Sequence, residues 1–284
     1  MKFICGTYFK HQCRFQLLDY TDARTPTFSF KIDDDLENDF VFLKIEQLAS
    51  LRNFINIGYA RLPDRFTLIT HNSDVNFGPE EVEYILNTFP EIKHWYTQNL
   101  NFNHPKVSPI PIGIANPKWS HGNPKRFVKI IDQNLPKNNK VYVNFNISTN
   151  PSARDYCLSQ IPDEYLSHMV RDYPNAVSIE DHNTFVNSTQ EQYLSTIAQS
   201  YFTVSPVGNG LDCHKTWESL YMKSIPIVTR WRGVEKFKEL GIPLVIIDDW
   251  SELKTLKLTP ELYNDIWSDF DPQNLNFSFF ENVN

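Results

Sequence analysis

Tyr201-Phe202-Thr203-Val204-Ser205-Pro206-Val207-Gly208-Asn209-Gly210-Leu211-Asp212-Cys213-His214-Lys215-Thr216-Trp217-Glu218-Ser219-Leu220-Tyr221 leads through Met222-Lys223-Ser224 into Ile225-Pro226-Ile227-Val228-Thr229. It reads as strand, glycine loop, helix and strand. Tyr201 to Val204 is short and rich in aromatic and β-branched residues, which suits a buried parallel strand. Gly208 and Gly210 permit backbone conformations and close approaches that a Cβ blocks. Asp212 suits an N-cap, and Trp217, Leu220 and Tyr221 recur at the spacing of one helical face. In such a unit backbone N–H groups and the positive end of the helix dipole favour an anion at the carboxyl edge of the sheet. His214, Lys215 and Glu218 stand at that mouth. Gly-x-Gly after a strand also fits a plain tight turn, and the loop is neither the dinucleotide fingerprint nor a Walker loop.

Working outward, the same grammar recurs. Phe66 to Thr70 reads as a strand that closes in His71-Asn72-Ser73-Asp74, with a helix from about Pro79 whose first turn carries Glu80 and Glu81. Strands are expected at 92–97, 107–114, 141–146 and 244–248. Helices are expected at 127–133, 152–160, 162–171 and 189–199. Strands alternating with helices argue for parallel sheets. Asn134 to Lys140 is polar and rich in breakers, so it serves as the linker between an N-terminal domain over 1–136 and a C-terminal domain over 137–284, whose final helix is free to return to the first. Two such sheets facing one another would leave a ligand cleft between them.

Composition narrows the classes. The 284 residues suffice for two domains, and 41% hydrophobic with 21% charged residues is ordinary for a globular protein. A net charge of −7 advertises no basic surface for nucleic acid or anionic lipid. Cys5, Cys13, Cys157 and Cys213 form no C-x-x-C pair, which argues against a zinc site or a disulfide framework and for a reducing compartment. No signal-peptide core and no run of about 20 apolar residues occurs, so a cytoplasmic location without a membrane span is expected.

Several side chains carry candidate chemistry. Asp74, in the loop after a strand, suits a general base with His71 orienting or sharing the proton; Asn, Ser and Asp there also suit a helix cap or an Asx turn. Trp119 and His121, in the irregular stretch Asn116 to Arg126, fit an acceptor pocket or simple packing. Arg154, at the start of a helix after a strand, suits bidentate phosphate contact, with an exposed helical arginine as the alternative. Glu218 lies one turn after His214; a carboxylate gripping two ribose hydroxyls and an ordinary i,i+4 surface pair both fit. Asp33-Asp34-Asp35 reads as a solvated loop and Asp248-Asp249 as a helix cap, so neither makes a convincing metal site.

Taken together, Ser205-Pro206-x-Gly208-Asn209-Gly210-Leu211-Asp212-Cys213-His214-Lys215-Thr216-Trp217-Glu218, with Ile225-Pro226, Pro111-Ile112-Gly113-Ile114-Ala115-Asn116, Trp119, His121-Gly122-Asn123 and His71 to Asp74, resembles the exostosin-like glycosyltransferases. The likeness is nearest to the compact soluble forms of large algal viruses, of chlorovirus xylosyltransferase type. It implies a GT-B fold of two Rossmann-like α/β domains facing each other across a cleft. It implies inverting, metal-independent transfer from a nucleotide sugar, UDP-xylose being a candidate, to an oligosaccharide or glycoprotein acceptor. On the same resemblance Arg154, Ser205, Gly208, Asn209, Gly210, His214, Lys215, Thr216 and Glu218 bind the donor, Trp119 and His121 the acceptor, and Asp74 with His71 performs the proton transfer. The family carries arginine where Val207 stands here. Either Lys215, His214, Arg230 or Arg232 supplies that cation, or the chain keeps a binding function with weakened catalysis.

Overall fold

A computed structural model describes residues 2–20, 27–57, 62–166, 190–268 and 270–281. Its contacts divide the chain into two compact units. One comprises Ile4–Ile112 with Asn276–Asn284, the other Met1–Phe3 with Gly113–Leu275. Residues 113–136, ahead of the linker expected from composition, thus group with the second sheet.

Among the described residues the first unit holds six strands: β1 (Phe15–Tyr20), β2 (Thr27–Ile32), β3 (Phe40–Leu43), β4 (Phe66–Thr70), β5 (Ile92–Thr97) and β6 (Val107–Pro109). They lie in the order β2-β1-β3-β4-β5-β6; β1 and β2 pair antiparallel and every other pair is parallel. All five residues of β4 are buried, as a central parallel strand covered on both faces requires. The helix Pro79–Thr88 starts with proline at its first position, and the Glu81 carboxylate accepts the Gly78 N–H at 3.1 Å. Trp95 is fully buried and its indole donates to Thr70 Oγ1 at 2.8 Å, so this large ring enters the core with its polar atom satisfied. The last helix, Phe277–Glu281, belongs here: Phe277 packs edge-on against Phe40 and Tyr96, and its N–H donates to Tyr8 Oη.

The second unit carries β7 (Asn139–Tyr142), β8 (Ser200–Val204), β9 (Ile225–Thr229) and β10 (Val245–Ile247), ordered β10-β9-β8-β7 and parallel throughout. Helices Pro151–Gln160, His214–Tyr221 and Arg232–Glu239, and another over 190–198, alternate with these strands. The core gathers Phe202, Val204, Ile225, Ile227 and Trp250. Both units are therefore α/β, the first sheet parallel except for the β1–β2 pair and the second parallel throughout, consistent with a Rossmann-like class. Of the helices expected at 162–171 and 189–199, helix is described over Asp163–Leu166 and 190–198, Pro162 and Gln199 are not helical, and 167–171 and 189 lie outside the described residues. None of the helices described is long and apolar enough to cross a membrane.

Candidate functional site

The glycine loop of the second unit sits at the carboxyl end of β8, where a parallel sheet presents its ligands. Gly208 N–H closes onto the Gly210 carbonyl at 3.1 Å, so the loop is a tight turn. Neither glycine has a positive φ. What Gly208 provides is room: a Cβ there would stand 3.2 Å from Arg154 Nη2. Asp212 does not cap the helix. Cys213 is the N-cap, and the Asp212 carboxylate accepts the buried Trp217 indole N–H at 2.9 Å instead.

Arg154 is buried rather than exposed on its helix. Its Nε donates to the Val207 carbonyl at 3.0 Å and its Nη1 to the Asn146 carbonyl at 2.7 Å, while Asn150 Nδ2 holds the Gly208 carbonyl at 2.8 Å. The guanidinium is thus a rivet under the loop, spending two of its nitrogens on backbone. Ser205 and Thr216 face each other across the strand and helix, their hydroxyls 3.0 Å apart and buried. Asn209 is exposed at the loop tip.

On the helix, Lys215 Nζ donates to Tyr193 Oη at 3.3 Å and lies over the Tyr193 ring at 4.7 Å from its centroid. Tyr193 in turn donates to Glu218 Oε2 at 2.6 Å. Burial pulls Lys215 down to about 8, against which Glu218 pulls upward. Glu218 is only 6% exposed, which rules out the surface-pair reading. His214 Nδ1 donates to the Gly113 carbonyl at 2.7 Å and keeps Nε2 for other partners. Gly113 has φ +66, a conformation that favours glycine and that turns this carbonyl to the imidazole. His121 joins the group: burial holds it below the ordinary histidine value, Glu218 pulls it up and His214 pushes it down. Gly122 makes this possible, because a Cβ there would collide with the Ala115 and Asn116 carbonyl oxygens. Trp119 is 54% exposed and stacks on His121 with an interplanar angle of 18°. The structure therefore brings His121, His214, Lys215 and Glu218 into one polar cluster, including a residue that sequence reading put with the acceptor.

Arg230 and Arg232, two of the cations considered for the place of the arginine at Val207, are both ion-paired. Arg230 is bound to Asp248 and Glu235, and Arg232 to Glu235. Tyr193 carries no sequence signal of its own, since its partners lie more than 20 positions away and only the fold unites them.

In the first unit, Asp74 follows β4 and is exposed. His71 beside it is 2% exposed. Its Nε2 meets the Pro111 carbonyl at 3.0 Å, so it is the donor, and Nδ1 accepts the Asn72 N–H at 2.8 Å. Both ring nitrogens thus serve the loop, which makes His71 a support for the turn holding Asp74. Asn72 itself has φ +63, a left-handed conformation that asparagine tolerates well. Asp33 to Asp35 form a loop, and Asp249 caps the short helical turn Trp250–Lys254, as read from the sequence.

Residues 129–263, just under half of the chain, match the family model described as RXYLT1 C-terminal domain. Ribitol-5-phosphate xylosyltransferase 1 of Danio rerio is 27% identical over 81 residues, which cover 25% of this chain and 19% of that protein. The chain thus aligns with about a fifth of the length of that relative. These likenesses support a xylosyltransferase-like glycosyltransferase family.

Proposed function

We propose that the chain is an inverting glycosyltransferase of GT-B architecture, moving a sugar from a UDP-sugar, with UDP-xylose the first donor to try, to a hydroxyl of a glycan acceptor without a metal ion. The observation that carries this reading is the Lys215–Tyr193–Glu218 chain behind the glycine loop, inside the stretch that matches the RXYLT1 C-terminal domain. Glu218, held by Tyr193, accepts from the ribose hydroxyls. His214, Lys215 and the start of their helix face the diphosphate, where negative charge grows as the bond to the anomeric carbon breaks. Asp74 takes the proton of the attacking hydroxyl as the new bond forms on the opposite face of the sugar. Arg154 contributes its charge from beneath the loop, and Trp119 and His121 complete the donor side.

Purified protein offered a panel of UDP- and GDP-sugars with candidate glycan acceptors tests the reading. Transfer from a UDP-sugar that persists in excess EDTA is the expected result. Neither transfer nor donor hydrolysis with any member would overturn it. A second reading, a nucleotide-binding module with weak catalysis, draws on Val207 and on the two Arg154 nitrogens engaged by backbone carbonyls. Its mark is a rise in Tm with UDP and no turnover.

A further inference from the structure

At the carboxyl edge of the first sheet a small pocket, with room for about one water-sized group, is lined in part by Thr70, His71, Ser73, Phe77, Thr97 and Gln98. Gln98 is 2% exposed. Its Oε1 accepts the Ser73 N–H at 3.4 Å, while its Nε2 has no hydrogen-bond partner among the described residues. The polar neighbours are occupied: Thr70 and Thr97 bond each other at 2.7 Å, Trp95 donates to Thr70, and the Ser73 hydroxyl donates to the Glu46 carboxylate at 2.6 Å. A buried amide N–H₂ left without an acceptor is costly, and folded proteins satisfy such groups with a partner, a water or a ligand.

We propose that this pocket reads one hydroxyl-bearing end group of a neutral polyhydroxylated molecule, with Gln98 Nε2 donating to its oxygen. The lining holds no lysine, arginine or carboxylate, its one titratable ring, His71, has Nε2 on the Pro111 carbonyl and Nδ1 on the Asn72 N–H, and the Glu46 carboxylate on Ser73 disfavours an anion. Ile45, Val75 and Phe77 offer apolar faces to the carbon skeleton, so a few directed polar groups on an apolar wall set the selectivity. Ser73 and Val75 line the pocket and Asp74 between them is exposed, which puts the proposed base at the rim of the site. Naming the pocket part of the acceptor site rests on the transferase reading; recognition of an oxygen by Gln98 does not.

The ¹⁵N-labelled full chain, titrated with free pentoses, hexoses and open-chain polyols with and without UDP, tests this through the Gln98 side-chain amide signals. At least one probe shifts them saturably, and its affinity falls about tenfold or more in Gln98→Leu and in Gln98→Glu, which keeps the size and loses the donor. The Glu variant decides the matter if the Leu variant does not fold. Unmoved signals with every probe, equal binding by Gln98→Glu, or a water that stays on Nε2 when a bound sugar is present would each overturn the proposal. If Gln98 responds but UDP does not bind, the transferase reading falls and the pocket stands; UDP binding with a silent Gln98 sinks only the pocket.

Discussion

The two sheets end in polar loops of opposite temper. Behind the loop of the second unit Arg154 and Glu218 are buried and Lys215 half-buried, and each is tied to neutral partners: Arg154 to the Val207 and Asn146 carbonyls, Lys215 to Tyr193, Tyr193 to Glu218. Beyond β4 of the first unit the carboxylate of Asp74 is exposed, and a neighbouring buried amide has an unspent donor. A network that is already paired fixes the position of its charges before a ligand arrives, which suits a charged ligand of fixed shape. An exposed acid beside an unsatisfied donor suits a group that must be picked out and deprotonated. The lesson is that one fold type, used twice, can be tuned for holding or for selecting by where it leaves its hydrogen bonds unmade.

Asp74→Asn gives the largest expected effect and tests that division most sharply. Loss of a general base lowers kcat by about 10²- to 10⁴-fold. UDP affinity, measured by calorimetry, stays as in the wild type because Asp74 belongs to the other unit. If UDP binding falls together with kcat, the division of labour between the two loops is wrong.

Arg154→Met probes the paired network at a smaller scale. Two carbonyls lose a charged donor inside the protein, a cost of about 3 kcal/mol at ordinary values for such bonds. The expected outcome is a Tm lower by several degrees with UDP affinity reduced no more than about tenfold. An unchanged Tm with affinity reduced by about a hundredfold or more would make Arg154 a direct ligand of the phosphates and not a rivet of the loop.

How much of this could be read beforehand follows from the range of each interaction. β4, β5 and β9 announce themselves locally, as apolar runs bounded by turn residues, and the structure has them at Phe66–Thr70, Ile92–Thr97 and Ile225–Thr229. The strands Phe15–Tyr20, Thr27–Ile32 and Phe40–Leu43 escape a reading that works outward from loop motifs, because no motif marks them. Burial of Arg154 and Glu218 is a tertiary fact; each reads equally well as a surface residue until the loop and the helix 190–198 close over it. Gln98 shows the same limit from the other side. No motif surrounds it, and its interest comes from a side-chain donor that the fold leaves unpaired.

The effect that needs no change of fold or base concerns Lys215, where stability and binding should respond to pH with opposite signs. Burial lowers its folded-state value to about 8, below the unfolded lysine value of 10.5. Between those values the unfolded chain binds more protons than the folded one, so Lys215 makes the protein gain stability as pH rises from about 8 to 10.5. An anion facing the ammonium needs the protonated form, so UDP affinity should fall over the same interval, by at most about tenfold per pH unit. The phosphates of UDP are already ionised above about pH 7, so their charge is constant over the interval, and the Lys215→Arg profile separates Lys215 from titration of the uracil N–H. Lys215→Arg keeps its charge throughout and should flatten the affinity profile. A wild-type UDP affinity that is level from about pH 7 to 9.5 would mean that Lys215 serves Tyr193 and Glu218 alone, and the second loop would then hold its nucleotide through hydrogen bonds without that cation.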